Sequence, residues 1–276
     1  MAMKQIEARG LTFDVTIDGP ADGVPVLLLH GFPQDQREFE LIRPELHAAG
    51  LRTIAYDQRG YSPGARPADP AEYTVLEAAG DAVAILDALG VPETHLIGHD
   101  WGAVVSWLVT ALHPDRVRTL TAVSVPHPNA MAQALRDDET QRKQFDYQAM
   151  LAAPDGEDAA RADDFAWLRR ALAGAGDRAG LYVDAMRDPA RLTGAINWYR
   201  ARPAGGRAAL PAVTVPTTFV WSDKDLAIGA TAARHCADWV TGDFRFVSVP
   251  GVSHWVPEEA PEVLVEAALT RIGSTG

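Results

Sequence analysis

The chain has 276 residues, of which 47% are hydrophobic, and it carries a formal net charge of −12 with a pI near 5.0. This length and composition support a large buried core, either as one domain with an insertion or as two domains. The negative charge argues against nucleic acid and anionic membrane surfaces as partners. A single cysteine, Cys236, excludes a disulfide within the chain and is consistent with a reducing compartment.

The first ten residues are polar and charged rather than apolar, and no run in the chain reaches the length of a membrane span. We therefore expect no signal peptide and no membrane partner. The expectation is a soluble, cytoplasmic protein.

Apolar runs alternate with helix-like segments through the first 125 residues. Residues 24–29 (VPVLLL) are continuously apolar, which is typical of a strand buried on both faces of a parallel sheet. Strands are predicted as a pair within residues 5–17 and at 24–29, 52–56, 94–97 and 117–125, with helices at 39–49, 74–89 and 103–112. This alternation predicts an α/β fold with a parallel sheet and right-handed crossovers.

The section from residue 126 to about residue 209 interrupts this alternation. It contains no convincing buried strand, it is rich in Ala, Arg and Asp, and glycine pairs break it at 174/176 and 205/206. Further on, strands are predicted at 217–221 and 244–249 and helices at 231–240 and 257–272. We therefore predict two core parts, residues 1–125 and 210–276, separated by a helical cap at residues 126–209.

The pentapeptide GHDWG at residues 98–102 joins a predicted strand to a predicted helix. Its two glycines relieve the crowding in a sharp turn that lifts the central side chain out of a sheet. The central residue is Asp100, and a carboxylate nucleophile attacks saturated carbon and leaves an ester on the enzyme. The alternative is an ordinary polar turn, because short glycine patterns are common by chance.

An aspartyl ester must be hydrolysed by water, which requires a base and a group that orients the base. His254 follows the strand at 244–249, and Asp225 follows the strand at 217–221. Both positions lie at the edge of the sheet where Asp100 is expected. Asp223, in the same loop, is the alternative orienting acid. Each of these residues alone is also typical of a solvated loop, but their order along the chain matches this architecture.

Water attack turns the ester carbonyl into an oxyanion, which backbone N–H groups can stabilise. The candidate donors are the N–H of Phe32, in the HGFP loop at residues 30–33, and the N–H of Trp101, next to the nucleophile. His30 and His99 are interpreted as structural residues whose ring N–H groups bond to loop backbone. No cluster of metal ligands is visible, so we expect no metal and no organic cofactor.

With these motifs the sequence resembles the epoxide hydrolase group of the α/β-hydrolases over nearly the whole chain. The resemblance rests on the HGFP loop, the GHDWG elbow, GVSHW at 251–255, FDYQ at 145–148 and NWYR at 197–200. It implies an α/β-hydrolase fold, a mostly parallel sheet flanked by helices with a helical cap inserted after the sixth strand. It also implies that Tyr147 and Tyr199, from the cap, donate hydrogen bonds to the epoxide oxygen.

The resemblance implies hydrolysis of a small, apolar epoxide to a vicinal diol through an ester on Asp100. A haloalkane or haloacid dehalogenase with the same Asp/His pair is one alternative. Against it, Phe32 offers no side-chain donor to a halide, and the elbow lacks the arginines that clamp a carboxylate in fluoroacetate dehalogenases. A non-catalytic ligand-binding protein of this fold is the second alternative. Such a protein has no need of the full set of candidate residues.

Overall fold

The computed structural model describes residues 2–201 and 209–274, and its sheet contains eight strands. They are β1 (Ala2–Ala8), β2 (Leu11–Asp18), β3 (Val24–Leu29), β4 (Leu51–Tyr56), β5 (Thr94–His99), β6 (Val117–Val123), β7 (Thr217–Ser222) and β8 (Phe244–Val249). Their order across the sheet is β1-β2-β4-β3-β5-β6-β7-β8. β2 pairs antiparallel with β1 and β4, and all other neighbours pair in parallel. The predicted mostly parallel sheet is confirmed.

Helices connect these strands. In the described residues they are α1 (Arg43–Ala48), α2 (Val75–Ala88), α3 (Trp101–Leu112), α4 (Pro128–Asp137), α5 (Glu139–Gln144), α6 (Asp146–Ala152), α7 (Gly156–Ala171), α8 (Ala179–Ala185), α9 (Pro189–Arg200), α10 (Ala230–Arg234), α11 (Val256–Glu259) and α12 (Pro261–Gly273). No helix in the described ranges combines the length and apolar character that crossing a membrane requires.

Strand β3 is apolar throughout because both faces of the sheet are covered. Leu27 and Leu29 belong to the core that includes residues of α2 and α3. The alternate residues Val26 and Leu28 belong to the opposite core, with residues of α1 and α12. Successive side chains of a strand point to opposite faces, so a strand between two helical layers needs no polar face.

Prolines shorten two of the predicted helices. The segment predicted as a helix at 39–49 is a 3₁₀ turn, Gln36–Leu41, followed by α1, whose second residue is Pro44. The helix predicted at 257–272 is divided into α11 and α12 at Pro261. Proline has no N–H group and clashes with the preceding turn, so it is accepted at a helix start and not in the interior.

The insertion after β6 is helical, as predicted. Helices α4 to α9 lie between β6 and β7, and we call them the cap. Helix α7 is interrupted at residues 162–165, where three consecutive residues have positive φ. The glycine pair at 205/206 falls within residues 202–208, outside the described residues, and the predicted end of the cap at residue 209 directly follows them. The cap shares a buried cluster with Phe32, Tyr61 and Trp255 of the loops beneath it.

Candidate active site

The loop after β3 approaches Asp100 at the carboxyl edge of the sheet. A Cβ atom added to Gly31 would overlap the side chain of Asp100, so only glycine allows this approach. The next residue, Phe32, donates its backbone N–H to Asp100 Oδ1 at 2.8 Å. This N–H group therefore lies where a donor to an oxyanion on the Asp100 carboxyl group is needed.

Asp100 occupies the sharp turn between β5 and α3. Its φ of 51° and ψ of −121° lie outside the regions that non-glycine residues favour. Both elbow glycines are sterically required, because a Cβ on Gly98 would overlap the backbone of Gly102, and one on Gly102 would overlap the backbone of Leu29. The close packing of β5, α3 and β3 thus maintains a strained turn that presents the carboxylate.

His254 connects Asp100 to a second carboxylate. Its Nε2 lies 3.3 Å from Asp100 Oδ2, and its Nδ1 lies 2.7 Å from Asp225 Oδ2. Asp225 Oδ1 accepts hydrogen bonds from the backbone N–H groups of Ala227 and Ile228, at 2.8 and 2.9 Å. These bonds fix the Asp225 carboxylate, which in turn fixes the ring orientation and the tautomer of His254.

Asp223, the alternative orienting acid, lies elsewhere in the same loop. Its Oδ1 accepts the backbone N–H of Gly251 at 2.7 Å, and the residue is exposed. The contact with His254 is made by Asp225, which is buried. The sequence could not decide which of these two acids orients His254, because a shift of two residues in the register of the loop exchanges their positions.

The charges of the site stabilise one another. Burial alone would lower the pKa of His254, but the two flanking carboxylates, Asp225 and Asp100, raise it to about 10. Burial alone would raise the pKa of Asp100, but the hydrogen bond and charge of His254, with further help from His99 and the Phe32 N–H, hold it below its usual range. At neutral pH the free enzyme therefore carries an ionised Asp100 beside an imidazolium.

Tyr147 and Tyr199 lie together on the cap side of the site. Their ring centroids are 6.1 Å apart, and the Tyr199 ring contacts those of Phe32 and Trp101 with centroids 5.3 and 5.4 Å away. Burial raises both phenol pKa values well above the ordinary value. The charge of Asp100 raises the pKa of Tyr147 further, and the neighbouring Tyr147 and Asp100 do the same for Tyr199. Both side chains are therefore hydrogen-bond donors at neutral pH.

Trp101 begins α3 directly after Asp100. Its backbone N–H makes no hydrogen bond to the Asp100 carboxylate within the described ranges, unlike that of Phe32. Its indole ring instead lies between the rings of Tyr199 and Trp198, with centroids 5.4 and 5.6 Å away. Of the two predicted backbone donors, the Phe32 N–H contacts the Asp100 carboxylate in the described residues and the Trp101 N–H does not.

The interpretation of His99 as a backbone-bonded residue agrees with the structure, but its second partner is an acid that the sequence did not indicate. His99 Nε2 donates to the carbonyl oxygen of His254 at 2.9 Å, and its Nδ1 lies 3.0 Å from Glu38 Oε1. Glu38 is fully buried and also accepts the N–H of Gly31 at 3.1 Å. One carboxylate thus contacts both the oxyanion loop and the residue that supports His254.

His30 also bonds to loop backbone. Its Nδ1 lies 2.9 Å from the carbonyl oxygen of Gly31, and its Nε2 accepts the backbone N–H of Gln58 at 3.0 Å. Burial lowers the pKa of His30 to about 4, so the ring is neutral at physiological pH. A neutral ring with one donor and one acceptor matches these two contacts.

Two adjoining cavities, which we call lobes, lie at the candidate nucleophile, and Asp100 and Tyr147 line both. The lobe below α7, with a volume of about 310 Å³, is lined largely by aromatic and aliphatic residues such as Trp167 and Leu168. The lobe below α4, of about 380 Å³, includes Met131 among its lining residues. The described residues hold no group of three His, Cys, Asp or Glu side chains that could bind a metal ion.

Comparison with known proteins places this chain in a family. Residues 24–261 match the model of the alpha/beta hydrolase fold family. The AB hydrolase superfamily protein YfhM of Bacillus subtilis is 30% identical, over 96% of this chain and 95% of that protein. Epoxide hydrolase A of Mycobacterium tuberculosis is 29% identical, over 96% of this chain and 95% of its own length.

Solved structures agree with the sequence relatives. One structure, described as novel epoxide hydrolases of the alpha/beta hydrolase superfamily from metagenomes of hot environments, has a TM-score of 0.87 at 25% identity and covers 98% of both chains. The chain therefore belongs to the α/β-hydrolase fold family, and it is an enzyme of that family. Within the family it is similar to proteins named epoxide hydrolases, so the resemblance inferred from its motifs is confirmed.

Proposed function

We propose that this enzyme hydrolyses epoxides to vicinal diols through a covalent ester on Asp100. The observation that carries the proposal is the opposed placement of the reacting groups. The ionised Asp100 lies on the sheet side of the cavity, and the protonated Tyr147 and Tyr199 lie on the cap side. We also propose residues 1–125 and 210–276 as the catalytic core and 126–209 as the substrate-covering cap.

In the first step, Asp100 attacks a ring carbon of the epoxide. The Phe32 N–H holds Oδ1 at 2.8 Å, so we assign the attack to Oδ2, whose contact with His254 Nε2 is longer, at 3.3 Å. The C–O bond of the ring breaks as the new ester bond forms, and a tyrosine donates its proton to the ring oxygen as negative charge develops there. Attack from one side with proton donation from the other suits displacement at carbon.

Ester formation changes the role of His254. The ester carries no charge, so one of the two carboxylates that raise the His254 pKa disappears from its surroundings. The pKa of His254 then falls, and its proton replaces the one that the phenol gave to the ring oxygen. A neutral imidazole is left beside the ester, held by Asp225.

In the second step, the neutral His254 removes a proton from water, and the resulting hydroxide attacks the ester carbonyl. The N–H of Phe32 stabilises the oxyanion that forms on the former carboxyl group. Collapse of this intermediate breaks the bond between the carboxyl carbon and the diol oxygen, and that oxygen takes the proton left on the attacking hydroxide. The diol leaves and the carboxylate of Asp100 is regenerated. The Asp225 carboxylate stabilises the imidazolium that His254 becomes.

The lining of both lobes supports an apolar substrate. Aliphatic and aromatic side chains dominate, and the two lobes extend on either side of the carboxylate. An epoxide with an apolar substituent on each ring carbon would place one substituent in each lobe. A dehalogenase is less well supported, because Phe32 has no side-chain donor for a departing halide. A halide also leaves as an anion, so it needs no proton from the two phenols.

A single-turnover reaction in oxygen-18 water tests the proposed function. Excess enzyme is mixed with an aryl epoxide, and a bromoalkane is run in parallel. The expected result is unlabelled diol in the first turnover with label in the Asp100 carboxyl group, because water attacks the ester carbonyl. Halide release without diol formation would move the enzyme to the dehalogenases. Labelled diol in the first turnover would show that water attacks the epoxide directly.

Replacing Tyr199 with phenylalanine should slow ring opening by at least about tenfold, the lower end of general acid effects. The aromatic ring keeps its contacts with Phe32 and Trp101, so the loss reports on the hydroxyl. Single-turnover consumption of epoxide by excess enzyme measures this step. Tyr56→Phe, which removes a buried hydroxyl that has no hydrogen-bond partner among the described residues, is the matched control. An unchanged rate in Tyr199→Phe would remove Tyr199 from the mechanism.

The two steps should depend on pH differently. Ring opening needs the Asp100 carboxylate, whose pKa lies below its usual range, so its rate should stay level from weakly acidic to neutral pH. Ester hydrolysis needs neutral His254, so its rate should rise with pH. Its midpoint should lie below the pKa of about 10 in the free enzyme, because the ester has lost the charge of Asp100. Quenched-flow measurement of ester formation and decay between about pH 5 and 10 checks both expectations.

A further inference from the structure

One face of α9 docks on the core, and Tyr199 projects from a different face of the same helix toward the candidate active site. The residues of this face are Arg191, Gly194 and Trp198, which we call the docking face. Their spacing of three and four residues places them on one side of a helix. Each contacts the loop after β4, which contains residues 57–60, or the residues beside it.

The centre of the docking face is a contact between two glycines. A Cβ atom on Gly194 would lie 2.5 Å from the carbonyl oxygen of Gly60, and a Cβ on Gly60 would lie 2.7 Å from the carbonyl of Gly194. Gly60 also has a φ of 90°, which other residues rarely adopt. Helix and loop therefore touch backbone to backbone, and no other residue type maintains this separation.

Arg191 fixes the start of the helix to two core loops. Its guanidinium lies 2.8 Å from Asp35 Oδ2 and 3.5 Å from Asp57 Oδ2, and it stacks over the ring of Tyr61 at 5.2 Å. Asp35 is two residues beyond Pro33 of the oxyanion loop. All these groups are largely buried, so the ion pairs are little weakened by solvent.

Trp198 fixes the other end, next to the phenol. Its Nε1 donates to the carbonyl oxygen of Arg59 at 2.8 Å, and the residue is buried. Tyr199 follows it in the chain and lies on the cavity side, against Phe32 and Trp101. Tyr147 lies on α6, which packs on α9 and α7, so the docking face affects the position of Tyr147 indirectly, through α9.

We propose that the glycine contact between α9 and the β4 loop sets the position of Tyr199 relative to Asp100. Gly194 and Gly60 are then positioning residues for ring opening, which act through the phenol and do not touch the substrate. Tyr199 is a cap residue in sequence, but its position is determined by the core. This inference rests on the proposed function, because it assigns the phenol a role in opening an epoxide.

The test is Gly194→Ala, measured by single-turnover consumption of an aryl epoxide with enzyme in excess. The new methyl group must move helix and loop apart by about half an ångström or more. Displacements of this size at a reacting group reduce rates by one to two orders of magnitude. We expect ring opening to slow by about tenfold or more. Gly180→Ala in α8 is the matched control, since its added Cβ meets no atom within 4 Å, and it should react at the wild-type rate.

A double-mutant cycle separates positioning from general damage to the cap. If Gly194 acts through the phenol, Gly194→Ala should slow ring opening by less than about threefold in a Tyr199→Phe background. A structural role alone would produce the same loss in both backgrounds. Trp198→Phe, which removes the hydrogen bond to the Arg59 carbonyl and reduces the ring that packs against Trp101, is the second variant if Gly194→Ala does not fold. It should slow ring opening by at least about threefold, again only when Tyr199 is present.

Three outcomes would overturn the inference. Wild-type ring opening in Gly194→Ala would show that the contact does not set the position of Tyr199, and an undiminished loss in the Tyr199→Phe background would show that it acts through another group. An equal loss in Gly180→Ala would show a general effect on the cap. These results leave the proposed function standing, whereas a wild-type enzyme that consumes no epoxide removes the function and the inference together.

Discussion

Asp100→Asn should abolish ester formation and reduce epoxide consumption by about 10⁴-fold or more, the scale seen when a covalent nucleophile is removed. The amide is similar in size and can still accept the N–H of Phe32, so the loop after β3 keeps its contact. An amide is not a nucleophile at neutral pH, and it cannot carry the charge that holds the imidazolium of His254. Single-turnover reactions followed by intact mass measurement check both the rate and the missing adduct.

The matched control for this variant is Asp223→Asn. Asp223 lies in the loop of the orienting acid but accepts a hydrogen bond from the Gly251 backbone and is exposed. It should keep the wild-type rate within about twofold, as surface changes away from a site do. Ring opening at more than about one per cent of the wild-type rate in Asp100→Asn, with peptide mapping that confirms asparagine at position 100, would contradict the covalent mechanism.

The sheet was predictable because runs of apolar and β-branched residues leave a strong local pattern, both in the buried strand β3 and in the partly exposed edge strand β8. The apolar run at residues 24–29 and the strand at 244–249 match β3 and β8 in their bounds. Helix continuity was less predictable. The segment at 39–49 has helical periodicity, but Pro44 and the N-terminal 3₁₀ turn divide it, and Pro261 divides the last helix. Apolar periodicity continues through such breaks, whereas the backbone hydrogen bonds do not.

The candidate nucleophile and base were predictable because strand ends define them. Asp100 and His254 follow β5 and β8, and parallel strands bring their carboxyl ends to one edge of the sheet. The choice between Asp225 and Asp223 was not predictable from the sequence, since it depends on the conformation of the loop. The tyrosine pair followed only from the resemblance to a family. The periodicity of a cap helix shows which of its faces is apolar, but not where the helix lies relative to the sheet.

The contacts that support the site could not be inferred from the sequence. Glu38 looks like any acid in a helical segment until the fold places it beside His99 and Gly31. Gly194 and Gly60 are separated by more than a hundred residues, and neither belongs to a motif. These contacts depend on which element faces which after the cap has docked. Local patterns thus predict which groups react, while long-range packing determines how closely they are held.

His254 has two partners with different fates, and this difference explains how one residue serves both steps. In the proposed mechanism Asp225 does not react, whereas Asp100 loses its charge when the ester forms and regains it on hydrolysis. The pKa of His254 then falls once and rises once in each turnover, so the ring is a neutral base while the ester is present and an imidazolium in the free enzyme. A histidine with a single carboxylate partner would lack this alternation.

His254→Ala should slow ester hydrolysis by about 10³-fold, within the range of general base effects, while ring opening continues. The Asp100 carboxylate and both phenols remain in place, so the first step retains its nucleophile and its acids. The enzyme should therefore accumulate one covalent adduct per chain when an aryl epoxide is added. Intact mass measurement detects the adduct, and peptide mapping assigns it to Asp100.

His235→Ala is the control for this variant, because His235 lies on the partly exposed 3₁₀ turn His235–Trp239 and pairs only with Asp238 within the described residues. It should show wild-type turnover without a persistent adduct. In His254→Ala, diol formation at the wild-type rate would assign the base to another group, and loss of both adduct and diol would mean that His254 is needed for ring opening as well.

Asp225→Asn separates these cases, because it leaves the imidazole in place without its orienting charge. An adduct that forms normally and decays slowly in Asp225→Asn would place the function of the Asp225–His254 pair in the hydrolytic step.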